Sequence, residues 1–239
     1  MAPQKYAQPD LLVETDWLET HLSDPDIRIV DCDMFDAYGR AHIKGAVGIR
    51  VHHYMKQPEY SKDPKKDPFV APPETIKEVM EGMGIGDDTL IIAYDSNGSN
   101  WAARLWWVLN YYGHTKVKVL NGGWKKWFDE GRPTTFDIPK VGAATFSPKA
   151  NPDLLCTLDY GVQHIDSPDV LFLDVRSDGE WDGTTNRGNQ RVGHVPGAVH
   201  LEWLNFVEDD KYKTFKSAGE LTKILDAAGV RPVQEVVTY

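Results

Sequence analysis

Cysteine is scarce in this chain, with Cys32 and Cys156 the two among 239 residues. Two cysteines cannot form a disulfide framework for a chain of this length, so a reducing cytoplasm is the expected compartment. Long apolar runs are also missing, since no stretch approaches the roughly 18 residues of a membrane span. The first ten residues lack the apolar core of a secretory signal peptide. We therefore predict a cytoplasmic protein with no membrane partner.

Positive charge is in deficit, because 26 Lys and Arg residues face 36 Asp and Glu residues and the net charge is -10. That balance disfavours nucleic acid as a partner, since such binding depends mainly on Lys and Arg neutralising phosphates. A hydrophobic content of 41% with 26% charged residues is ordinary for folded domains and excludes a disordered or collagen-like chain. No spacing of His, Cys and Asp resembles a metal site, and we predict neither a metal nor a cofactor.

One pattern occurs twice along the chain. The β-branched run Arg28–Asp31 ends in aspartate and is followed by HIKGAV at 42–47. The apolar run Leu171–Asp174 also ends in aspartate and is followed by HVPGAV at 194–199. The aspartates lie 143 residues apart and the histidines 152. The second copy therefore carries nine additional residues between its two motifs.

The repeat continues into a second pair of buried-strand patterns, LIIAY at 90–94 and EVVTY at 235–239. A period this long indicates duplicated domains rather than a solenoid of short units. Helical spacing separates the strands, and Ser217 and Glu220 form a predicted capping box. Strands that alternate with helices predict an α/β fold, with a parallel sheet flanked by helices in each domain. We predict domains at 11–138 and 156–239, a linker at 139–155 and a polar surface loop at 54–73.

Together these motifs resemble those of the rhodanese family. The second copy carries the resemblance in Asp174–Ser177 (DVRS), Gly193–Ala198 (GHVPGA) and Thr214–Ser217 (TFKS), and the first in Leu120–Trp124 (LNGGW). The likeness covers the chain from about Leu11 onward and implies two rhodanese-like domains. It also implies a sulfurtransferase, in which a cysteine takes a sulfane sulfur from a donor, becomes a persulfide and passes the sulfur to an acceptor such as cyanide or a thiol.

The resemblance also implies where the nucleophile should lie. The family places its cysteine at the start of a six-residue loop, where backbone N–H groups and a helix N-terminus converge and stabilise an anion. In the first domain that loop begins at Asp95, which cannot carry a sulfane sulfur, so we predict a non-catalytic domain. In the second domain the equivalent strand ends at Tyr239, and the nucleophilic cysteine is expected immediately after it. The second domain is thus expected to be incomplete in this chain, which contains no catalytic residue. A covering C-terminal segment, as a separate chain or beyond a modified cysteine, is the further expected partner.

Arg176, Arg191 and Glu180 are the candidate substrate-binding residues. Arg176 follows the Asp174 strand at the end where doubly wound sheets bind ligands, and a small anionic sulfur donor needs a cation there. Pairing of Arg176 with Asp174 or Glu180 is the equally weighted alternative. Glu180 stands where many family members place a second arginine, which disfavours a carboxylate donor, and Arg191 (with Arg187) offers the missing charge.

The remaining candidates are interpreted as structural. Cys32 is expected to be a small buried hydrophobe, and Cys156 has no adjacent basic residue. His42 and His194 occupy matching turns, which indicates hydrogen bonding rather than chemistry. The favoured function is a thiosulfate sulfurtransferase. The alternatives are a 3-mercaptopyruvate sulfurtransferase, a non-catalytic sulfur-carrier or interaction module, and a phosphatase on a related fold.

Overall fold

The computed structural model describes residues 5–49, 51, 55 and 70–239. Most of the predicted surface loop at 54–73 lies outside the described residues. The described residues form two compact units. The larger contains 8–155 and 211–214, and the smaller contains 5–7, 156–210 and 215–239.

The larger unit is built on a five-stranded parallel sheet with the strand order β1-β6-β5-β2-β4. Its strands are β1 (Leu12–Val13), β2 (Ile27–Asp31), β4 (Val47–Gly48), β5 (Leu90–Tyr94) and β6 (Val117–Leu120). A separate antiparallel pair consists of β3 (His42–Ile43) and β7 (Thr134–Thr135). Its helices are α1 (Thr15–Thr20), α2 (Phe35–Arg40), α3 (Pro73–Gly82), α4 (Asn100–Tyr111) and α5 (Gly123–Asp129).

Side chains of this sheet alternate between two buried clusters. Ile91 and Ala93 of β5 belong to one cluster, and Ile92 and Tyr94 belong to the other. Because successive residues of a strand point to opposite faces, both faces of the sheet are covered. A strand buried on both faces is typical of a parallel α/β sheet. The predicted fold class is confirmed for this unit.

The smaller unit repeats part of this arrangement as a three-stranded parallel sheet with the order β10-β8-β9. Its strands are β8 (Val170–Asp174), β9 (Val199–His200) and β10 (Glu235–Thr238), and its helices are α6 (Leu158–His164), α7 (Asp178–Trp181) and α8 (Ala218–Ala227). Ser217 and Glu220 form the predicted capping box at the start of α8. The strands β10, β8 and β9 correspond to β5, β2 and β4 of the larger sheet, and β4 meets β2 at Asp31 as β9 meets β8 at Asp174.

The two copies differ at the strand that precedes the predicted nucleophile loop. In the larger unit β5 lies between β2 and β6, and four of its five residues are buried. In the smaller unit β10 is an edge strand among the described residues, and Val236 is 39% exposed. The segment expected to cover it remains a prediction.

Candidate functional site

The carboxyl ends of the central strands carry the same tyrosine–aspartate contact in both units. The Tyr94 hydroxyl donates to Asp31 Oδ2 at 2.6 Å and accepts the Ile43 N–H at 3.1 Å. The Tyr239 hydroxyl accepts the Val195 N–H at 2.9 Å and is hydrogen-bonded to Asp174. The sequence repeat therefore extends to the geometry at the sheet edge where parallel α/β folds bind their ligands.

The residue two positions after each aspartate breaks this equivalence. The larger unit has Asp33, whereas the smaller unit has Arg176. Arg176 donates through Nε to Asp174 Oδ1 at 2.9 Å, and through Nη2 to Asp174 Oδ2 and to the Gly193 carbonyl at 3.0 Å. Its guanidinium also lies 5.1 Å from the Tyr239 ring. Within the described residues no hydrogen bond occupies Nη1, so two N–H donors remain for an anion.

The pKa values of the two aspartates shift in opposite directions because of this difference. Burial raises the pKa of Asp31 to about 6, and hydrogen bonds from Tyr94 and Asp33 oppose the rise only in part. Burial also acts to raise the pKa of Asp174, but hydrogen bonds from Arg176 and its charge outweigh burial and hold that pKa below its ordinary value. The equivalent aspartate is therefore a buried acid that hydrogen bonds compensate only in part in one copy, and half of an ion pair in the other.

The loop after β5 wraps around the carboxylate of Asp95. Oδ1 accepts the N–H groups of Asn97 at 2.8 Å and Ser99 at 2.9 Å. Oδ2 accepts those of Trp101 at 2.8 Å and Ala102 at 2.9 Å, in the first turn of α4. Burial raises the pKa of Asp95, and these donors act in the opposite direction. The predicted anion cradle is present, and the carboxylate of its own first residue fills it.

Two glycines and one aspartate hold this cradle in shape. Gly98 has a φ of +68°, in the region that favours glycine, and helps to turn the N–H groups inward. A Cβ on Gly123 would lie 2.1 Å from the carbonyl oxygen of Asp95, so no side chain fits there. Asp33 Oδ1 accepts both the N–H and the hydroxyl of Ser96, at 3.1 and 3.0 Å. The Gly-Gly sequence before Trp124 is thus explained by a close backbone approach.

The three predicted substrate-binding residues have different contacts in the structure. Glu180 accepts the Ser177 hydroxyl at 2.8 Å and pairs with Arg187 Nε at 2.9 Å. Arg191 is exposed in the insertion of the second copy. Arg176 alone of the three predicted residues contacts the aspartate–tyrosine pair at the strand ends.

Neither cysteine has the environment of a nucleophile. Cys32 is 3% exposed, and burial next to Asp95 raises the pKa of its thiol well above the ordinary value. Cys156 is exposed, and partial burial beside Glu235 raises the pKa of its thiol. A thiolate is the reactive form of cysteine, so both thiols are poorly suited to attack a sulfur donor.

His42 and His194 make matching contacts. Nδ1 of His42 lies 2.8 Å from the Tyr38 carbonyl, and Nδ1 of His194 lies 2.9 Å from the Trp181 carbonyl. Each imidazole stacks on the ring of the residue whose carbonyl it contacts, with centroids 3.9 and 3.5 Å apart. These contacts agree with a structural function in the turns.

Sequence reasoning missed His200, whose Nε2 lies 3.0 Å from the Arg176 carbonyl. Alignment of the two repeats carried the signal, because His200 occupies the position of Gly48.

Across residues 5–49, 51, 55 and 70–239, no group of three His, Cys, Asp or Glu side chains could hold a metal ion. In the same ranges, no helix has the length and apolar character needed to cross a membrane.

Known proteins resemble the chain over both halves. The rhodanese-like domain model matches residues 14–130 and 157–239. The sulfur carrier protein TtuD of Thermus thermophilus is 33% identical over 246 residues, which cover 98% of this chain and 83% of that protein. The "Putative thiosulfate sulfurtransferase" of Haloferax volcanii is 31% identical over 251 residues, covering 100% of this chain and 84% of that protein.

Solved structures agree on the fold. The Escherichia coli 3-mercaptopyruvate sulfotransferase SseA aligns with a TM-score of 0.84 at 24% identity, covering 95% of this chain and 87% of that one. The yeast mitochondrial complex I sub-stoichiometric sulfur transferase subunit aligns with a TM-score of 0.79 at 22% identity, covering 95% and 83%. With a family model that spans both units and relatives above 30% identity over nearly the whole chain, this protein belongs to the rhodanese-like family.

Proposed function

We propose that the protein is a sulfurtransferase that takes the sulfane sulfur of thiosulfate and passes it, through a cysteine persulfide, to cyanide or a thiol. The observation that carries this proposal is Arg176, which keeps two N–H donors at Nη1 while Asp174 and Gly193 fix its other donors. A guanidinium held in this way offers a planar pair of donors to an oxyanion. The Haloferax relative, by its name, acts on the same donor.

The proposed reaction has two balanced steps. A cysteine thiolate attacks the outer sulfur of thiosulfate, so that an S–S bond to the enzyme forms while the sulfur–sulfonate bond breaks and sulfite leaves with its electron pair. Cyanide then attacks the terminal persulfide sulfur, and thiocyanate leaves with regeneration of the thiolate. Arg176 binds sulfonate oxygens and stabilises the charge that develops on the departing sulfite.

The nucleophile is proposed to follow Tyr239, at the position equivalent to Asp95. In the larger unit four N–H groups converge on that position, and an equivalent loop would surround a persulfide anion in the same way. The Asp95 copy is proposed to be non-catalytic, because a carboxylate neither accepts nor transfers a sulfane sulfur.

Donor preference is proposed to depend on the charges beside Arg176. Glu180 is paired with Arg187 and leaves Arg191 as the second cation available to a donor. Because Glu180 stands where a second arginine would bind the carboxylate of 3-mercaptopyruvate, thiosulfate is the favoured donor, and 3-mercaptopyruvate remains the alternative. The proposed compartment is the cytoplasm, which cell fractionation tests.

A second candidate is a sulfur-carrier module without turnover of its own. The Thermus relative is named a sulfur carrier protein and matches 98% of this chain. The two candidates differ in their product, because a carrier keeps a persulfide until a partner collects the sulfur, whereas a sulfurtransferase forms thiocyanate repeatedly from thiosulfate and cyanide.

The full-length gene product tests the proposal. We expect a cysteine codon directly after Tyr239, steady thiocyanate formation with thiosulfate and cyanide, and complete loss of turnover when that cysteine is replaced by serine. A higher kcat/KM with 3-mercaptopyruvate would establish the alternative donor. A single-turnover burst would contradict the enzyme and favour the carrier, and a residue other than cysteine after Tyr239 would contradict both.

A further inference from the structure

Three stacked rings lie beside Arg176 in the smaller unit. The indole of Trp181 has His194 on one side, with centroids 3.5 Å apart and planes 12° apart. His200 also stacks on it, with centroids 4.8 Å apart and planes 6° apart. Planes this close to parallel restrict both imidazoles to one orientation, and each ring then contacts a different backbone carbonyl.

The carbonyl partners determine which ring nitrogens carry protons. A carbonyl oxygen only accepts, so Nε2 of His200, at 3.0 Å from the Arg176 carbonyl, donates a proton to it. Nδ1 of His200 lies 3.7 Å from the Asp178 carboxylate. Nδ1 of His194 donates to the Trp181 carbonyl. The two neutral imidazoles therefore have opposite tautomers.

His200 contacts the Arg176 carbonyl directly after the last backbone hydrogen bonds between these two segments. Leu201 donates its N–H to the Asp174 carbonyl at 2.9 Å, and Trp203 donates to the Val175 carbonyl at 3.0 Å. The Arg176 carbonyl comes next along the chain and receives the His200 side chain instead. The arginine is thus held at both ends, its backbone by His200 and its guanidinium by Asp174.

The larger unit lacks both members of this pair. Asp33 replaces the arginine, and Gly48 replaces the histidine at the same register of the sheet. A Cβ on Gly48 would lie 2.9 Å from the Tyr38 ring, which closes the space that a side chain would need. Arginine and histidine therefore occur together in the copy with a predicted nucleophile and are absent together from the other.

We propose that His200 is a positioning residue for Arg176, and that its Nε2–H directs the free Nη1 donors toward the sulfur donor. The inference rests on the proposed function, since Arg176 needs an accurate direction only if it binds an anion. His200 itself does not touch the donor. It acts on the affinity for thiosulfate rather than on the chemical step.

Two substitutions of His200 by amide side chains of different length test this function in the full-length gene product. His200→Gln places an amide nitrogen near the Nε2 position, whereas His200→Asn reaches only as far as Nδ1. We expect His200→Asn to raise the KM for thiosulfate about 5-fold with kcat little changed, as loss of one hydrogen bond predicts, and His200→Gln to restore it. Asp178→Asn is the matched control and should leave KM unchanged, because Asp178 faces Nδ1 and is 90% exposed. Equal KM values for the Gln and Asn variants, or a loss confined to kcat, would overturn the inference.

Nitrogen NMR of the histidine rings gives an answer that does not need turnover. In the neutral state His200 should carry its proton on Nε2 and His194 on Nδ1. The Arg176 and Gly193 amide resonances should move in the Asn variant and stay in place in the Gln variant. A proton on Nδ1 of neutral His200 would refute the contact. If the wild type forms no thiocyanate, the proposed function fails, while these resonances still decide whether His200 holds Arg176.

Discussion

At the scale of single residues, the duplicated aspartates show how one neighbour reverses an acid's behaviour. Asp31 and Asp174 end equivalent strands, are both buried and both contact a tyrosine hydroxyl. Arg176 lowers the pKa of Asp174 against the effect of burial, whereas Asp31 has Asp33 at that position and its pKa rises to about 6. Burial of a carboxyl group costs stability unless a cation or strong donors compensate it.

This contrast predicts a pH dependence of stability for Asp31. Because the pKa of Asp31 is raised in the folded state, the native state binds the proton more tightly than the unfolded state does. The protonated carboxyl group therefore contributes to the free energy of unfolding below about pH 4, and this contribution is lost as the pH rises through about 6. Asp31→Asn should therefore increase the free energy of unfolding at pH 7.5 by about 2 kcal/mol and leave it little changed at pH 4. Urea unfolding at both pH values measures the effect. Asp174→Asn is the control of opposite sign, and stabilisation by both variants would contradict the argument.

Asp95 supplies a second prediction at this scale. Asparagine has the same shape but one carboxamide oxygen, so two of the four N–H donors would face an NH₂ group. Asp95 accepts four N–H groups, whereas Asp31 accepts two donors, so the loss of partners should outweigh the relief from burying a charge. Asp95→Asn should therefore lower the free energy of unfolding by about 1–3 kcal/mol. Chemical denaturation measures this loss, with Ser96→Ala as a milder comparison because Ser96 also keeps an N–H contact to Asp33. An Asn variant as stable as the wild type would show that the carboxylate is dispensable in the cradle.

At the scale of elements, close backbone contact between two turns determines the shape of the cradle. The turn before α5 approaches the first residue of the loop after β5, and Trp124 donates its N–H to the Asp95 carbonyl at 2.9 Å. Gly123 lies at this approach with a φ of +53°. The LNGGW motif is thus a structural part of the loop that surrounds Asp95.

Two alanine substitutions separate backbone conformation from this contact. Gly123 and Gly131 both have positive φ values, +53° and +68°, so alanine strains the backbone at each. A Cβ at Gly131 would meet nothing within 4 Å, whereas at Gly123 it would lie 2.1 Å from a carbonyl oxygen. Gly131→Ala should cost about 1 kcal/mol, and Gly123→Ala about 1–3 kcal/mol more. Thermal unfolding of the two variants checks the order, and equal costs would refute the close approach.

At the scale of the whole molecule, the two units share the order of three parallel strands but differ in what occupies their equivalent sites. The larger unit has its own carboxylate in the anion cradle, and the smaller has an arginine with free donors. The segment predicted as a linker packs on the larger unit, because Phe146 is 1% exposed and Asn151 donates its N–H to the Tyr111 carbonyl. The domain boundaries themselves remain a prediction.

The thiols of these 239 residues provide a test of the whole chain. Cys32 is buried and Cys156 exposed, and burial raises the pKa of both. A thiol reagent at pH 8 should therefore modify one thiol in the native chain and two after unfolding. The same chain should form no thiocyanate from thiosulfate and cyanide. Thiocyanate formation that disappears in Cys156→Ala would contradict the assignment of that cysteine as non-catalytic.

Much of the fold could be predicted from the sequence because its signals are local. Strand patterns that end in aspartate, a capping box at Ser217 and a duplicated His-x-x-Gly-Ala motif indicated the parallel α/β sheet. The loop that begins with Asp95 was also visible, since a carboxylate replaced the residue that the motif requires. Periodicity and turn residues encode such features within a few positions of one another.

The partners of the charged groups depended on the tertiary structure. Arg176 was equally compatible with an anionic donor and with pairing to Asp174 or Glu180, and only the fold brings the Gly193 carbonyl to it from 17 residues away. Glu180 became the partner of Arg187, and His200 differed from its counterpart Gly48 in the other repeat without any local pattern that indicated its contact with Arg176. Hydrogen bonds and ion pairs require distances of a few ångströms, which a strand or helix pattern does not specify. The sequence by itself determined which elements form and repeat, and the packing of those elements decided which donors remain free for chemistry.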